Sequence, residues 1–170
     1  MADGAEERGA DRGDVEIREL VAGDREALEA MLTASFRPDE VAVALELIDD
    51  ALGGGDDYHV RVASGVAGPP GGVGGYICYG PTPMTAGTYD LYWIVAHPEA
   101  RGRGVARALI ADMEATLRDR GATGIRVETS ETESYGAARA LYQRLDYPQA
   151  ALLPDFYSPG DGLLIYYKRL

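Results

Sequence analysis

The sequence predicts an α/β protein: a mixed central sheet of six or seven strands, flanked by about four helices. Three observations carry that expectation. Strand-like and helix-like runs follow one another in the order β-α-α-β-β-β-α-β-α-β-β. One run, "TYDLYWIVA" at 88–96, is aromatic or β-branched almost throughout, which marks a central strand. The chain has 170 residues, 46% of them hydrophobic and 26% charged, enough for one domain with a full core.

Taken in order, residues 1–13 hold no large apolar side chain after Met1 and are expected to form a disordered tail ahead of a single domain over 14–170. "VEIREL" alternates Val15 and Ile17 with Glu16 and Arg18, the period of a half-buried strand. Asp24 is placed to cap a helix whose apolar positions are Leu28, Met31, Leu32 and Phe36. Pro38 opens a second helix with Val41, Leu45, Ile48 and Leu52 on one face, and Gly53-Gly54-Gly55 closes it. "YHVRVAS" and "GGYICYG" read as a strand pair joined by a turn-rich "GVAGPPGGVG", and Pro81 and Pro83 end the pair. After the central strand comes a helix to about residue 120, burying Val105, Leu109, Ile110, Met113 and Leu117 and stopped by Gly121. "GIRVET" is a strand, 135–145 a short helix using Ala138, Leu141, Tyr142 and Leu145, and two last strands flank a loop "PDFYSPGDG".

The formal charge of −12 disfavours nucleic acid as a partner, since phosphate backbones need clustered Lys and Arg. An acidic surface suits a cationic small molecule, or simply solubility. No apolar run reaches the roughly 18 residues that span a bilayer, and no secretory signal is legible, so a cytoplasmic protein is expected. A single cysteine, Cys78, and two histidines, His59 and His97, give no basis for a disulfide or a metal site. Cys78 reads as a semi-buried small core residue and His97 as a turn residue.

The stretch "HPEARGRGVARALI" stands out against this background. Glycines weaken a helix start, and arginines there oppose the positive end of the helix dipole. An anion resolves both conflicts: backbone N–H groups at the helix start and nearby guanidinia make a pyrophosphate cradle. The lysine-bearing phosphate loop is absent, because Val105-Ala106 follows where Lys-Ser or Lys-Thr is needed. The dinucleotide fingerprint fails at Arg107, where it wants a third glycine.

Arg101-x-x-Gly104-x-Ala106 resembles the coenzyme A signature Q/R-x-x-G-x-G/A of the GNAT acyltransferase superfamily. "SYGAARALYQRLDY" is similar to that family's later helix, N-x-x-A-x-x-x-Y-x-x-x-G-F, and Ala138 and Tyr142 match it. The element order matches the GNAT fold from about residue 14 onward, and "PDFYSPGD" resembles the tail of one bacterial subgroup. The resemblance implies an N-acetyltransferase that uses acetyl-coenzyme A. Arg101, Gly102, Arg103, Gly104, Val105, Ala106 and Arg107 are then expected at the pyrophosphate. Ile94, Val95 and Ala96 line the pantetheine arm, with Tyr135 and Ala138 beside the cofactor. A strand amide polarises the thioester carbonyl, and Tyr142 protonates the departing thiolate. Tyr135 stands where many relatives have Asn, and Asp146 where a helix-ending Gly is usual; Asp tolerates the left-handed conformation.

The amine acceptor needs a base. Asp90 on the central strand is the first candidate, by a small margin over Glu128. Tyr92, Phe156 and Tyr157 are the candidate acceptor contacts, the last two presented by a loop; Tyr58, Tyr76, Tyr79 and Tyr89 are further candidates for the pocket wall. Loops at 36–40, 80–88 and 154–162 are expected to shape that pocket. The expected chemistry is direct attack by a primary amine of a small, amino-acid-like or otherwise cationic metabolite within a ternary complex. The substitutions at Tyr135 and Asp146 also motivate a second reading, a non-catalytic module that binds an acyl-coenzyme A as a sensor or assembly partner. Dimers are common among similar proteins, so a homodimer is possible, though no interface is legible.

Overall fold

The computed structural model describes residues 15–170, and the tail expected over 1–13 lies outside them. Among the described residues the elements are β1 (Glu16–Glu19), α1 (Arg25–Thr33), α2 (Pro38–Leu52), β2 (His59–Ser64), β3 (Gly75–Pro81), β4 (Thr88–Ala96), α3 (Val105–Asp119), β5 (Gly124–Ser130), α4 (Gly136–Arg144), β6 (Gln149–Ser158) and β7 (Asp161–Arg169). The strands form one seven-stranded sheet in the order β1-β2-β3-β4-β5-β7-β6. β4 lies at its centre. β4 and β5 run parallel, joined by α3, while the other neighbours are antiparallel.

Alternation along the strands divides the core into two layers. Val62, Tyr76 and Cys78 meet α1 and α2 on one face; Ala63, Ile77 and Tyr79 meet α3 and α4 on the other. The predicted stripe of α3 (Val105, Leu109, Ile110, Met113, Leu117) is fully buried, each large side chain contributing about 1.5–3 kcal/mol. In α2 the seam is shifted: Ala44 and Ile48 are buried, whereas Val41, Leu45 and Leu52 are only half-buried.

Three local expectations are corrected. Asp24 does not cap α1, because a 3-10 turn over Ala22–Asp24 intervenes and presents the first free amides. Its carboxylate instead accepts from Val21 N at 2.9 Å and from both terminal nitrogens of Arg18 at 2.7 Å, pinning β1 to the turn. Phe36 lies beyond α1 and packs edge-on against Trp93, their centroids 5.1 Å apart. Phe156 and Tyr157 sit in β6, not in a loop. The ladder to β7 breaks between Leu153 and Ser158, where Asp155 is left-handed at φ 53° and its carboxylate accepts from Gly160 N at 2.6 Å. Pro154 is tolerated because β6 is the sheet's edge. At the end of α4, Asp146 adopts φ 59°, the left-handed conformation the sequence called for.

Candidate active site

A bulge makes the site. Cys78 of β3 faces Trp93, but the next residue, Tyr79, faces Leu91, so Tyr92 is an extra residue in β4. A bulge bends its strand and increases the local twist. Beyond it β4 parts from β5: their ladder runs from Thr88↔Gly124 to Leu91↔Val127 and stops, although β4 continues to Ala96 and β5 to Ser130. The wedge so opened belongs to a cleft of about 1840 Å³. Ile94, Val95 and Ala96 line it, with a run of main-chain groups that no β5 residue pairs.

Past the open end of β4, a 3-10 turn over Pro98–Ala100 leads into the signature turn. Gly102 and Gly104 take φ 74° and 81°, a region that costs an L-residue roughly 1–2 kcal/mol. A Cβ at either glycine would meet no protein atom within 4 Å, so the backbone requires glycine while the space before it is open. Gly104 caps α3 from this left-handed state, and Val105, Ala106 and Arg107 follow as its first residues, whose amides have no partner inside the helix. Arg101 and Arg107 line the cleft. Arg103 does not: its Nη1 donates to Ala67 O at 2.7 Å, tying the β2–β3 loop to the turn, which corrects its expected side-chain role at the cofactor.

Tyr135, Ala138 and Tyr142 line the wall opposite, from α4 and the turn before it. Tyr142 is packed between Tyr147 and Tyr166, and burial pushes its phenol far above the ordinary value. Arg139 Nη1 bonds the carbonyls of Ser130 (3.0 Å) and Thr132 (2.5 Å), satisfying the turn that launches α4. Tyr135 reaches across the cleft and donates to Glu40 Oε1 at 2.7 Å.

Asp90 is buried, and Arg126 grips both of its oxygens at 2.6 and 3.0 Å. The hydrogen bond to Asp90 raises the guanidinium's pKa. Both Asp90 oxygens are thereby committed to Arg126. Glu128, two residues along β5 from Arg126, is more exposed, lines the cleft and lies 3.3 Å from Arg126. Tyr92 and Tyr157 line the cleft as well; Phe156 stands outside it, stacked edge-on against Tyr157. Loops at 36–40 and 154–162 contribute Phe36, Arg37, Glu40, Tyr157, Ser158 and Asp161, but 80–88 contributes nothing. Tyr76 and Tyr79 are core residues, not pocket walls. Burial lifts the Cys78 thiol to about 12, which makes it inert. His97 Nδ1 accepts from Glu99 N at 3.2 Å as a turn cap. Among the described residues no three His, Cys, Asp or Glu gather as metal ligands.

Sequence reasoning missed Arg126, Glu40 and Arg144, all on the cleft. Strand alternation puts Arg126 and Glu128 on one face, a usable signal. Glu40 lies 95 positions from its partner Tyr135, a contact that no local pattern announces.

An unpaired strand edge suits an extended guest bearing amides, and a glycine-bent helix start suits a diphosphate. A nucleotide thioester offers both, and an acyltransferase is the class of protein that such a fold and cleft suit. Residues 56–149 match the Acetyltransferase (GNAT) domain. A protein assigned to the GNAT acetyltransferase family from Desulfovibrio desulfuricans is 36% identical; the match covers 92% of this chain and 99% of that one, with a TM-score of 0.83. The chain belongs to the GNAT acetyltransferase family, whose acyl donor is acetyl-coenzyme A. Likeness of fold extends to the ribosomal-protein-S18-alanine N-acetyltransferase of Escherichia coli (17% identity, 92% and 94% covered, TM-score 0.71). It extends also to the PaiA N-acetyltransferase of Thermoplasma acidophilum in complex with coenzyme A (16%, 92% and 99%, 0.68). No helix among the described residues is long and apolar enough to cross a membrane.

Proposed function

We propose that the protein transfers an acetyl group from acetyl-coenzyme A to a primary amine of a small cationic molecule, by direct attack within a ternary complex. The observation that carries this reading is the wedge itself: one cleft joins the glycine-bent start of α3, the unpaired edge of β4 and the buried Tyr142 to a second group of side chains, Tyr92, Glu128 and Tyr157. The open space before Gly102 and Gly104 fits a diphosphate on the amides of 102–107, with Arg101 and Arg107 beside it. Ile94, Val95 and Ala96 bond the pantetheine arm, and a β4 amide holds the thioester oxygen. Ala138 and Tyr135 border the same arm.

When bound, acetyl-coenzyme A supplies an acyl carbon activated by its thioester. Burial holds Tyr142 in its protonated form, so its hydroxyl can donate a hydrogen bond to the sulfur as charge develops there, while the raised pKa opposes full transfer of the proton. Glu128 accepts the proton the amine loses, through a water. That help matters: an amine with a pKa near lysine's 10.4 is roughly one part in a thousand unprotonated at neutral pH. Glu128 takes this role ahead of Asp90, whose two oxygens are committed to Arg126.

A cationic acceptor is supported by the net charge of −12, by Glu40, Glu128 and Asp161 on the cleft, and by the aromatic faces of Phe36, Trp93 and Tyr92. The test is thiol release with a panel of small amines and a peptide bearing a free N-terminal alanine. Turnover of a cationic small amine supports the reading; turnover of the peptide alone redirects it to protein N-termini. Coenzyme A that fails to bind at micromolar levels, with Arg101→Ala and Gly104→Glu changing nothing, would remove the cofactor assignment.

A further inference from the structure

Pro159 and Gly160 make the turn between β6 and β7, and Ser158 pairs with Asp161 across it. Three carboxylates pin this hairpin: Asp155 accepts from Gly160 N at 2.6 Å, Glu131 from Gly162 N at 3.0 Å, and Asp161 from Ser130 Oγ at 2.5 Å. Asp155 and Glu131 spend their bonds on main-chain amides. Asp161 differs, because it borders the cleft and a neutral hydroxyl holds it. Asp24, Asp49, Asp90, Asp112 and Glu114 each face a lysine or arginine, and among the described residues Asp161 has no such partner.

Strand register sets where that charge lies relative to Glu128. β5 and β7 pair antiparallel, with Glu128 opposite Ile165 and Ser130 opposite Leu163. Glu128 and Ser130 are two residues apart on β5, so they share one face at a spacing of about 7 Å. Ser130 holds Asp161 at its side, so the carboxylates of Glu128 and Asp161 enter the cleft from neighbouring strands roughly that far apart. Tyr157 of β6 borders the cleft with them. Burial first, then the charges of Glu128 and Asp161, raise its phenol above the ordinary value, so its hydroxyl lies within the field of both. Arg126 does not cancel this charge. Asp90 holds it by two bonds and Glu128 by a single contact at 3.3 Å, so the three groups together stay anionic and Asp161 adds to them.

Resting on the acceptor reading above, we propose that Asp161 binds a second, protonated nitrogen of the acceptor, so that the preferred substrates are α,ω-diamines whose nitrogens stand about 7 Å apart. The reacting nitrogen bonds the acyl carbon as the thiolate leaves, and yields its proton toward Glu128 as above. The other nitrogen stays an ammonium, held by Asp161 with the Tyr157 ring beside it. With C–C and C–N bonds of about 1.5 Å, the span corresponds to about four or five methylenes. Ser130 orients Asp161 without neutralising it, since a hydroxyl brings a hydrogen bond and no charge. Hairpin stability accounts for the bond to Ser130 but not for an uncompensated carboxylate on the cleft wall.

The experiment measures kcat/KM by thiol release at low ionic strength, with the terminal diamines of butane and pentane against butylamine and pentylamine. Each rate is referred to the concentration of free amine, because a neighbouring ammonium lowers an amine's pKa. Wild-type protein is expected to favour each diamine over its monoamine about tenfold. Asp161→Asn keeps an oxygen for Ser130 and removes the charge, so it should bring that ratio close to one by raising KM for the diamines. Asp161→Glu should restore part of the ratio, and Asp119→Asn, at the exposed end of α3 and outside the cleft, should leave it intact. Added salt should narrow the wild-type ratio. A wild-type ratio of one, a ratio that Asp161→Asn leaves unchanged, or turnover of other small amines but of neither diamine overturns the assignment while the acceptor reading stands. Failure of wild-type protein to acetylate any small amine overturns the acceptor reading, and this assignment with it.

Discussion

Tyr135 Oη lies 2.7 Å from Glu40 Oε1, so a hydrogen bond ties the first turn of α2 to the turn ahead of α4 across the cleft. The two helices flank opposite faces of the sheet, and the second carboxylate oxygen of Glu40 accepts from Arg37 N at 3.0 Å, which fixes that end. If the donor threads the wedge as proposed, this tie would cross its path. Tyr135→Phe should therefore speed both association and dissociation of coenzyme A, by about threefold to tenfold, with a smaller change in Kd. Stopped-flow quenching of Trp93 measures both rates. Burial, with Glu40 second, lifts the Tyr135 pKa to about 12, so the wild-type rates should stay flat from neutral pH to about pH 10.

Glu128 and Asp90 should separate cleanly. Glu128→Gln is expected to lower kcat about 100-fold with little loss of stability, because a positioned base contributes about 10²–10⁴. Its rate should recover tenfold per pH unit as free amine accumulates below the amine's pKa. Asp90→Asn should instead cost about 1–2 kcal/mol in urea unfolding, less than a fully buried pair because Arg126 is partly exposed. Equal losses of kcat in the two variants would contradict the assignment of Glu128.

Tyr142→Phe should reduce kcat by about 10²-fold and leave coenzyme A affinity within a factor of two. The raised phenol pKa also has a stability sign. The protonated form is favoured in the folded state, so its stabilisation is complete below the unfolded value of 10.0 and is lost as pH climbs beyond it. Thermal unfolding above pH 10 should therefore be less steeply pH-dependent in Tyr142→Phe than in wild type.

Behind the cleft, Glu114 joins α3 to β7 and to the turn after α4, bonding Lys168 Nζ at 2.8 Å, Tyr147 Oη at 2.9 Å and Arg118 Nη2 at 3.0 Å. Burial alone would raise its pKa, but these three bonds outweigh burial and hold it below the ordinary value of 4.5. A depressed carboxylate stabilises the fold above that value and loses the contribution as pH falls through the folded pKa. Glu114→Gln should cost about 3 kcal/mol at neutral pH, with the difference from wild type shrinking in acid. Melting curves across pH 3–8, roughly the range over which carboxylates titrate, measure it.

The amino-acid sequence by itself determined the elements and one half of the site. The apolar period of α3, the β-branched run of β4 and the left-handed glycines of the signature turn are properties of neighbouring residues, so their physics is local and readable. Asp146 in its left-handed turn belongs with them. Tertiary structure alone decided the other half. Asp90 reads as a base until Arg126, from a different strand, occupies both its oxygens, and Tyr135 reads only as a departure from the usual Asn until Glu40 meets it. Arg103 looks identical to Arg101 and Arg107 in sequence, and only the nearby Ala67 carbonyl removes its side chain from the cleft. A side chain's charge is written in its own residue, but whether that charge is free depends on which distant groups the fold places against it.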